Sequence, residues 1–200
     1  MQGFVIKNIR ARSEDALLFV LTPEALHKAY RFYGARHPLV NPGSKIDFEL
    51  ERCSIYLPRL RSISSLAPSF AKIEQITAWQ SFLELLYAHL NGVSELSSFY
   101  FSLLERLQTR LFSQNPKRAC IDAYASLLAH EGRLGLFSCA CCSKPLRHAC
   151  SLGAQFAPSC CQMGMSFELA LLEDFFASFN SSLLDDEQVN ELYLLMLRGF

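Results

Sequence analysis

Six of the eight cysteines of the chain lie within one short stretch, residues 139–161. Thiolates are good zinc ligands, and the two cysteines of a C-x-x-C motif can present their sulfurs to one tetrahedral ion. Cys139 and Cys142 form such a motif, and the 17 residues 143–159 separate Cys142 from Cys160. This spacing is typical of the second ligand pair of a zinc ribbon, so the sequence predicts a zinc site.

The fourth zinc ligand is less well determined, because Met163 stands where a second C-x-x-C motif would follow Cys160. The candidates for this position are Cys141, His148, Cys150 and Cys161. We predict Cys150, since the adjacent side chains of Cys160 and Cys161 would point apart in an extended chain. The predicted set is Cys139, Cys142, Cys150 and Cys160. A site closed by four protein ligands would hold one structural zinc ion, because catalytic zinc keeps one position open.

The alternative reading of these cysteines is a group of reduced, buried thiols, or disulfides if the protein is exported. Residues 1–12 lack the continuous apolar core of a signal peptide, and no stretch is apolar over the roughly 18 residues that a membrane span needs. We therefore expect a cytoplasmic protein without membrane contacts, whose reducing compartment favours metal over disulfides.

The sequence lacks the motifs of the common zinc and nucleotide enzymes. His130 and Glu131 are not followed by the second histidine of H-E-x-x-H, and Pro158 precedes cysteines without the C-x-x-C spacing of a zinc deaminase. The chain has no G-x-x-x-x-G-K and no G-x-G-x-x-G motif for phosphates or dinucleotides. We predict a protein that is not an enzyme, with no catalytic residues.

The elements that would carry a binding site change character along the chain. Residues 1–68 read as five short strands joined by polar turns, and residues 69–200 read as helices. The strands are predicted at 4–6, 16–21, 30–33, 46–51 and 54–63. Five short strands in so few residues favour a five-stranded oligonucleotide-binding (OB) barrel. The predicted class is α+β, with a 1–68 barrel domain and a 69–200 helical domain into which the cysteine loop is inserted.

Apolar side chains at spacings of three and four residues predict five helices in the second region. Asn91 and Gly92 supply a stop for the first, and Asn115 followed by Pro116 opens the third. Phe167 and three later apolar residues are assigned to the fourth helix, and Asp185 with Gln188 forms a capping box for the fifth.

The front of the chain is basic. Residues 1–68 contain ten Lys and Arg against six Asp and Glu, a balance of +4, and residues 69–200 contain nine against thirteen, a balance of −4. A basic groove with aromatic platforms is how OB folds hold single strands. The candidate DNA contacts are Arg31, Tyr33, Arg36, Lys45, Arg59 and Arg61. Strand alternation would place Phe32 inside the barrel. The alternative is an ordinary solvated surface.

Several short motifs, in this order, resemble the RecO family of bacterial recombination mediators. They are the opening residues 3–6, residues 21–23 that close the second strand, residues 34–36 after the third, Cys139 with Cys142, and the segment 156–160. The chain departs from the family pattern in being shorter and in lacking a regular final C-x-x-C. Arg36 matches the basic residue that the family carries after the third strand.

The resemblance implies a function and a nucleoid-associated location as well as a fold. RecO proteins bind single- and double-stranded DNA, anneal complementary strands, and act with RecR to load RecA onto strands covered by single-strand-binding protein. They also receive the acidic, phenylalanine-ended tail of single-strand-binding protein on their helical domain. We predict this contact at a basic cluster of the helical region, Arg106, Arg110, Lys117 and Arg118. An ordinary solvated helix end is the alternative there.

A function of another class also fits the sequence. The chain would then be a zinc-stabilised helical adaptor that binds protein, and the basic front region would be a coincidence. Binding to DNA that weakens as salt rises separates the two functions.

Overall fold

The fold is described here from a computed structural model, which covers residues 1–11, 14–51, 55–66, 70–93, 95–161 and 164–199. The chain divides into two compact units, Met1–Phe112 and Ser113–Phe200. The predicted division into 1–68 and 69–200 stays a prediction, because residues 67–69 lie outside the described part of the chain.

Five strands at the start of the first unit close into a barrel. They are β1 (Gln2–Arg10), β2 (Ala16–Leu21), β3 (Leu26–Arg31), β4 (Lys45–Glu51) and β5 (Arg59–Ser65). The order around the barrel is β1-β2-β3-β5-β4, with a parallel pairing between β3 and β5 and antiparallel pairings elsewhere. The predicted five-stranded OB barrel is confirmed.

The barrel core follows from alternation along the strands. In β4, Ile46 and Phe48 are buried and Asp47 and Glu49 are exposed, as a two-residue period requires. The other core side chains are Val5, Ala16, Leu18, Val20, Ala29, Val40 and Leu60. This packing makes the barrel a filled scaffold, so a ligand must bind on its surface.

Strand β3 ends two residues earlier than predicted. Tyr33 adopts a left-handed conformation (φ 53°) and starts a 3₁₀ turn over Gly34–Arg36. Because the strand has ended, alternation no longer applies to Phe32, whose residue is 45% exposed. The prediction that Phe32 fills the barrel is therefore wrong. Strand β5 begins at Arg59, after Pro58, which has no N–H to give to a ladder. Residue 54, its predicted start, lies outside the described residues.

Two helices complete the first unit, α1 (Ile73–Leu90) and α2 (Phe99–Ser113). The ring of Phe4 on β1 packs against Trp79 of α1 and Phe101 of α2, with centroids 5.9 and 5.4 Å apart. At its end α1 is capped by Asn91, and Gly92 follows at φ 92°, as the sequence predicts.

Three further helices lie in the second unit, α3 (Pro116–His130), α4 (Leu169–Ser178) and α5 (Asp186–Leu197). The Asn115 side chain accepts hydrogen bonds from the first backbone N–H groups of α3, and Pro116 follows it. The Asp185–Gln188 capping box opens α5. Both predicted caps are confirmed.

The structure contains a small antiparallel sheet that was not predicted, and its strands lie between α3 and α4 in the sequence. It consists of β6 (Ala149–Leu152), β7 (Pro158–Ser159) and β8 (Ser166–Glu168), in the order β7-β6-β8. Phe167, predicted on the fourth helix, lies in β8 opposite Cys150. Because Phe167 pairs in the sheet, the helix starts later than predicted, and α4 begins at Leu169 with Glu168 as its N-cap.

Candidate metal centre and nucleic-acid interface

A tight turn brings the two cysteines of the C-x-x-C motif together. Ser138 and Pro145 form an isolated antiparallel bridge, and the N–H of Cys139 donates to the carbonyl of Lys144 at 2.9 Å. Ser143 closes the turn in a left-handed conformation (φ 58°), with its N–H 2.9 Å from the carbonyl of Cys139. This backbone holds Cys139 and Cys142 at one end of the turn.

The second pair of sulfurs comes from the end of β7. Cys160 and Cys161 follow Ser159, where the chain bends out of the β6–β7 pairing. The N–H of Cys161 donates to the Ser159 hydroxyl at 3.1 Å, and the N–H of Ala140 donates to the carbonyl of Pro158 at 2.8 Å. These bonds fix the C-x-x-C turn against the end of the small sheet.

The sulfurs of Cys139, Cys142, Cys160 and Cys161 all lie within 4.8 Å of one another. Individual Sγ–Sγ distances are 3.5 Å for Cys142–Cys160, 3.6 Å for Cys160–Cys161 and 4.0 Å for Cys139–Cys161. Zinc–sulfur bonds of about 2.3 Å in a tetrahedron put neighbouring sulfurs about 3.8 Å apart. The four thiols could therefore hold one metal ion with little movement.

Cys150, which we predicted as the fourth ligand, does not belong to this group. It lies on β6, is 3% exposed, and burial raises the pKa of its thiol. Cys161 stands in its place because the chain bends at residues 160 and 161. The extended backbone that would have separated these two side chains is thus not present.

The surroundings of Cys139 favour its thiolate, the form that binds a metal cation. Its sulfur accepts hydrogen bonds from the backbone N–H groups of Cys160 (3.3 Å) and Cys141 (3.4 Å). These bonds, with that of Cys160 the strongest, lower the pKa of Cys139 to about 5 although its burial opposes ionisation. By contrast, the thiol of Cys161 shares hydrogen bonds with Cys142 first and then with Cys160 and Cys139, which raises its pKa to about 12. A divalent cation would displace the protons held between these sulfurs.

A second candidate site, here called the aromatic cleft, lies on the barrel where β3 ends and β5 begins. Its volume is about 360 Å³, and it is lined by Tyr30, Phe32, Tyr56, Leu57 and Arg59. The Arg59 guanidinium lies 5.1 Å from the centre of the Phe32 ring, and Tyr30 meets the same ring edge-on at 5.2 Å. Exposed rings beside a cation form a surface that can take the bases and phosphates of a nucleic acid.

Besides Arg59, three of the predicted DNA contacts have exposed side chains: Tyr33, Arg36 and Arg61. Tyr33 is 76% exposed. Arg36 pairs with Glu14 at 3.2 Å, and Arg61 pairs with Glu51 at 3.1 Å. Exposed ion pairs contribute only about 0–1 kcal/mol, so a phosphate can replace either carboxylate.

Two other predicted contacts are held inside the first unit. The Lys45 side chain is 18% exposed, forms an ion pair with Glu105 at 2.7 Å, and lies over the rings of Phe4 and Phe101. Half-buried Arg31 donates from Nη1 to the Leu60 carbonyl at 2.9 Å. Both cations support the packing of the unit, and the Lys45 ammonium has an internal counter-ion.

The predicted partner cluster is spread over both units. Arg106 and Arg110 lie on α2, and the Arg106 guanidinium lies over the Phe99 ring at 5.7 Å. In the second unit, Lys117 donates to the Asn190 side chain at 2.6 Å. Arg118 donates to the carbonyls of Ser181 and Leu184 and to the carboxylate of Asp186. Arg118 thus connects α3 to the start of α5.

We expect Arg118→Ala to destabilise the second unit by about 2–3 kcal/mol, because its charged guanidinium donates part-buried hydrogen bonds to two backbone carbonyls, and hydrogen bonds to charged groups contribute most. Its side chain is 23% exposed. Lys117→Ala, the matched control, removes an exposed side chain and should cost less than about 1 kcal/mol. Chemical denaturation of both variants measures the difference. Equal losses would contradict a structural role for Arg118.

The sequence reasoning missed two groups of residues. Cys161 was set aside in favour of Cys150, and the cleft residues Phe32, Tyr56 and Leu57 were not selected as contacts. For the cleft a signal was present, since Tyr56 and Leu57 stand directly before Pro58, which favours an exposed loop.

Comparison with known proteins identifies one matching family, described as RecO N terminal, which matches residues 1–71. These residues include all five strands of the barrel. No curated protein matches the chain. Within the described residues, no helix is both long enough and apolar enough to span a membrane.

Proposed function

We propose that the chain is a DNA-binding recombination mediator that acts in DNA repair, because its residues 1–71 match the RecO N-terminal family. The observation that carries this proposal is the family match to a closed OB barrel whose surface exposes rings beside arginine. Proteins that hold single strands in this way use charge to follow the backbone and aromatic rings to stack on bases.

The contact surface that we propose contains Tyr33, Arg36, Arg59 and Arg61 from the predicted set. Lys45 is left out because Glu105 already neutralises it inside the unit. The Arg36 and Arg61 side chains are 78% and 51% exposed, so phosphates can reach both guanidinium groups. Contacts to phosphate carry no sequence information, and the surface is therefore expected to bind DNA with little sequence preference.

The finer activities follow the family. We propose that the chain binds both single- and double-stranded DNA, anneals complementary strands and acts with RecR to load RecA. For the tail of single-strand-binding protein, Arg106 and Arg110 remain the proposed contacts. They are adjacent on one face of α2, one turn apart, and can hold a carboxylate between them. Arg118 is not proposed for this role because its guanidinium is engaged with α5.

For the second unit we propose one structural zinc ion, held by Cys139, Cys142, Cys160 and Cys161. The donor set supports this, since four thiolates at tetrahedral spacing suit zinc better than harder cations. The ion would join the C-x-x-C turn to the end of the small sheet, and it would have no position open for a substrate.

The test of the function is a fluorescence anisotropy titration of the full chain with a short single-stranded oligonucleotide at several salt concentrations. We expect log K to fall linearly with log salt, with a slope of about −0.7 per phosphate contact. Replacing Arg36 and Arg59 together with alanine should reduce that slope by about 1.4 and weaken binding at low salt.

Lys7→Ala is the matched control for this titration, because Lys7 is a barrel cation paired with Glu84 against α1 and not part of the proposed surface. It should leave the slope unchanged. If the chain fails to bind DNA at low salt, the adaptor function replaces this proposal. If binding persists with an unchanged slope in the double variant, the DNA surface lies elsewhere.

A further inference from the structure

We propose that the aromatic cleft accepts an unpaired nucleobase, so that this site distinguishes a single strand from a duplex. The proposal rests on the DNA binding proposed above. It adds a base-stacking subsite formed by Phe32, Tyr56 and Arg59, and it states which form of DNA that subsite takes.

The cleft is built from two chain segments that the fold holds together. Tyr30 and Arg59 are paired in register where β3 meets β5, and the N–H of Tyr30 donates to the Pro58 carbonyl at 2.8 Å. Phe32 therefore comes from one segment, and Tyr56 and Leu57 come from the other. At about 360 Å³, the space between them is within the size range of sites for small molecules.

The apolar side chains of this cleft are unusually exposed. Phe32 is 45% exposed, Tyr56 is 73% exposed and Leu57 is 42% exposed. Large apolar side chains grouped on a surface indicate a binding site more often than scattered ones do. Two of them are exposed rings, and the Arg59 guanidinium over the Phe32 ring adds a planar cation that can stack on a base or hold a phosphate.

The wall of the cleft is fixed before any ligand arrives. The carboxylate of Asp15 accepts a hydrogen bond from the hydroxyl of Tyr30 and another from the N–H of Tyr33 at 2.9 Å. This carboxylate anchors Tyr30, on which Phe32 packs, and the left-handed Tyr33 that follows it. A preformed wall reduces the ordering cost of binding.

An unpaired base fits these features better than a duplex does. Within a duplex both faces of each base are covered by its neighbours, whereas a single strand presents free faces that can stack on protein rings. A peptide with an apolar side chain is the other class of ligand that such a cleft could take. Such a peptide would not need the flat Arg59 guanidinium over the Phe32 ring. The experiment below distinguishes a peptide site from a base site.

The experiment compares three DNA ligands bound to the full chain by anisotropy. The first is a short oligothymidylate, the second is an abasic strand of the same length, and the third is a duplex closed at both ends by hairpins. The test protein is a double variant that combines Phe32→Ala and Tyr56→Ala. Tyr56→Phe, which keeps the ring, and Ile55→Ala, an 83% exposed neighbour outside the cleft lining, are the controls.

We expect the natural chain to bind the oligothymidylate about tenfold or more tightly than the abasic strand, which corresponds to about 1.4 kcal/mol of stacking. The double variant should lose this preference, while its salt slope and its affinity for the closed duplex stay unchanged. Both controls should keep the preference.

Two results would overturn the inference while leaving DNA binding intact. One is equal affinity of the natural chain for the normal and abasic strands. The other is a base preference that survives in the double variant, which would leave the cleft to a peptide or another ligand. Failure of every DNA ligand to bind the natural chain would instead overturn the proposed function itself.

Discussion

Removal of the zinc ion that we propose for the four cysteines is expected to unfold the segment around them and to lower the thermal stability of the second unit. In a closed site the binding free energy is folding free energy, about 10–16 kcal/mol in small zinc domains. That range is comparable to the total stability of a typical domain, about 5–15 kcal/mol. Chain purified without chelator should contain one zinc ion, measured by metal analysis, and chelation should lower its melting temperature.

Variants of single cysteines identify the ligands. Cys161→Ser should lose zinc and stability, because it removes one of the four sulfurs that lie within 4.8 Å of one another. Cys141→Ser and Cys150→Ala should retain zinc, since neither sulfur belongs to that group. Cys141 is the sharper control, because it is exposed and lies inside the C-x-x-C turn. Zinc lost from Cys150→Ala and kept in Cys161→Ser would restore Cys150 as the fourth ligand.

Three of the four clustered cysteines were predictable from spacing, and the fourth was not, for a physical reason. Whether Cys160 and Cys161 diverge depends on the backbone between them, and that backbone bends because β7 ends at Ser159. Strand β7 has only two residues, too few to show an alternation pattern. It is defined by its pairing with β6, a tertiary contact. The local sequence thus carries no signal for the bend.

The barrel could be predicted because, in long strands such as β4, the alternation of apolar and polar residues shows which side chains are buried. The end of β3 could not, since its position depends on the left-handed conformation at Tyr33. The N–H of Tyr33 donates to Asp15, 18 residues earlier in the chain. That distant contact decides that Phe32 faces the solvent and takes part in the aromatic cleft.

The availability of charged side chains was equally hard to predict from the sequence. Lys45 and Arg118 read as available cations in the sequence, yet Glu105 and Asp186 neutralise them, 60 and 68 residues away in the chain. A sequence reveals how many charges a region contains. It does not reveal which of them folding has already paired, and for that reason the proposed DNA surface is smaller than the predicted one.

We expect Gly43→Ala to destabilise the first unit by about 2–5 kcal/mol. Gly43 has φ 96°, where a Cβ atom costs about 1–2 kcal/mol, and overpacking a core typically costs about 1–3 kcal/mol more. Its added Cβ would lie 2.2 Å from Nε1 of Trp79. Neither side can move easily, because the Gly43 N–H is bonded to the Val5 carbonyl at 2.7 Å and Trp79 is 3% exposed.

Gly92→Ala is the matched control for this effect, since Gly92 has φ 92° and no atom within 4 Å of its added Cβ. It should show the conformational cost without the collision, about 1–2 kcal/mol in chemical denaturation. A Trp79→Leu background isolates the collision, because it removes the indole and should reduce the cost of Gly43→Ala by about 1–3 kcal/mol. Equal losses for the two glycines, with no relief from Trp79→Leu, would contradict close packing of α1 against this turn of the barrel.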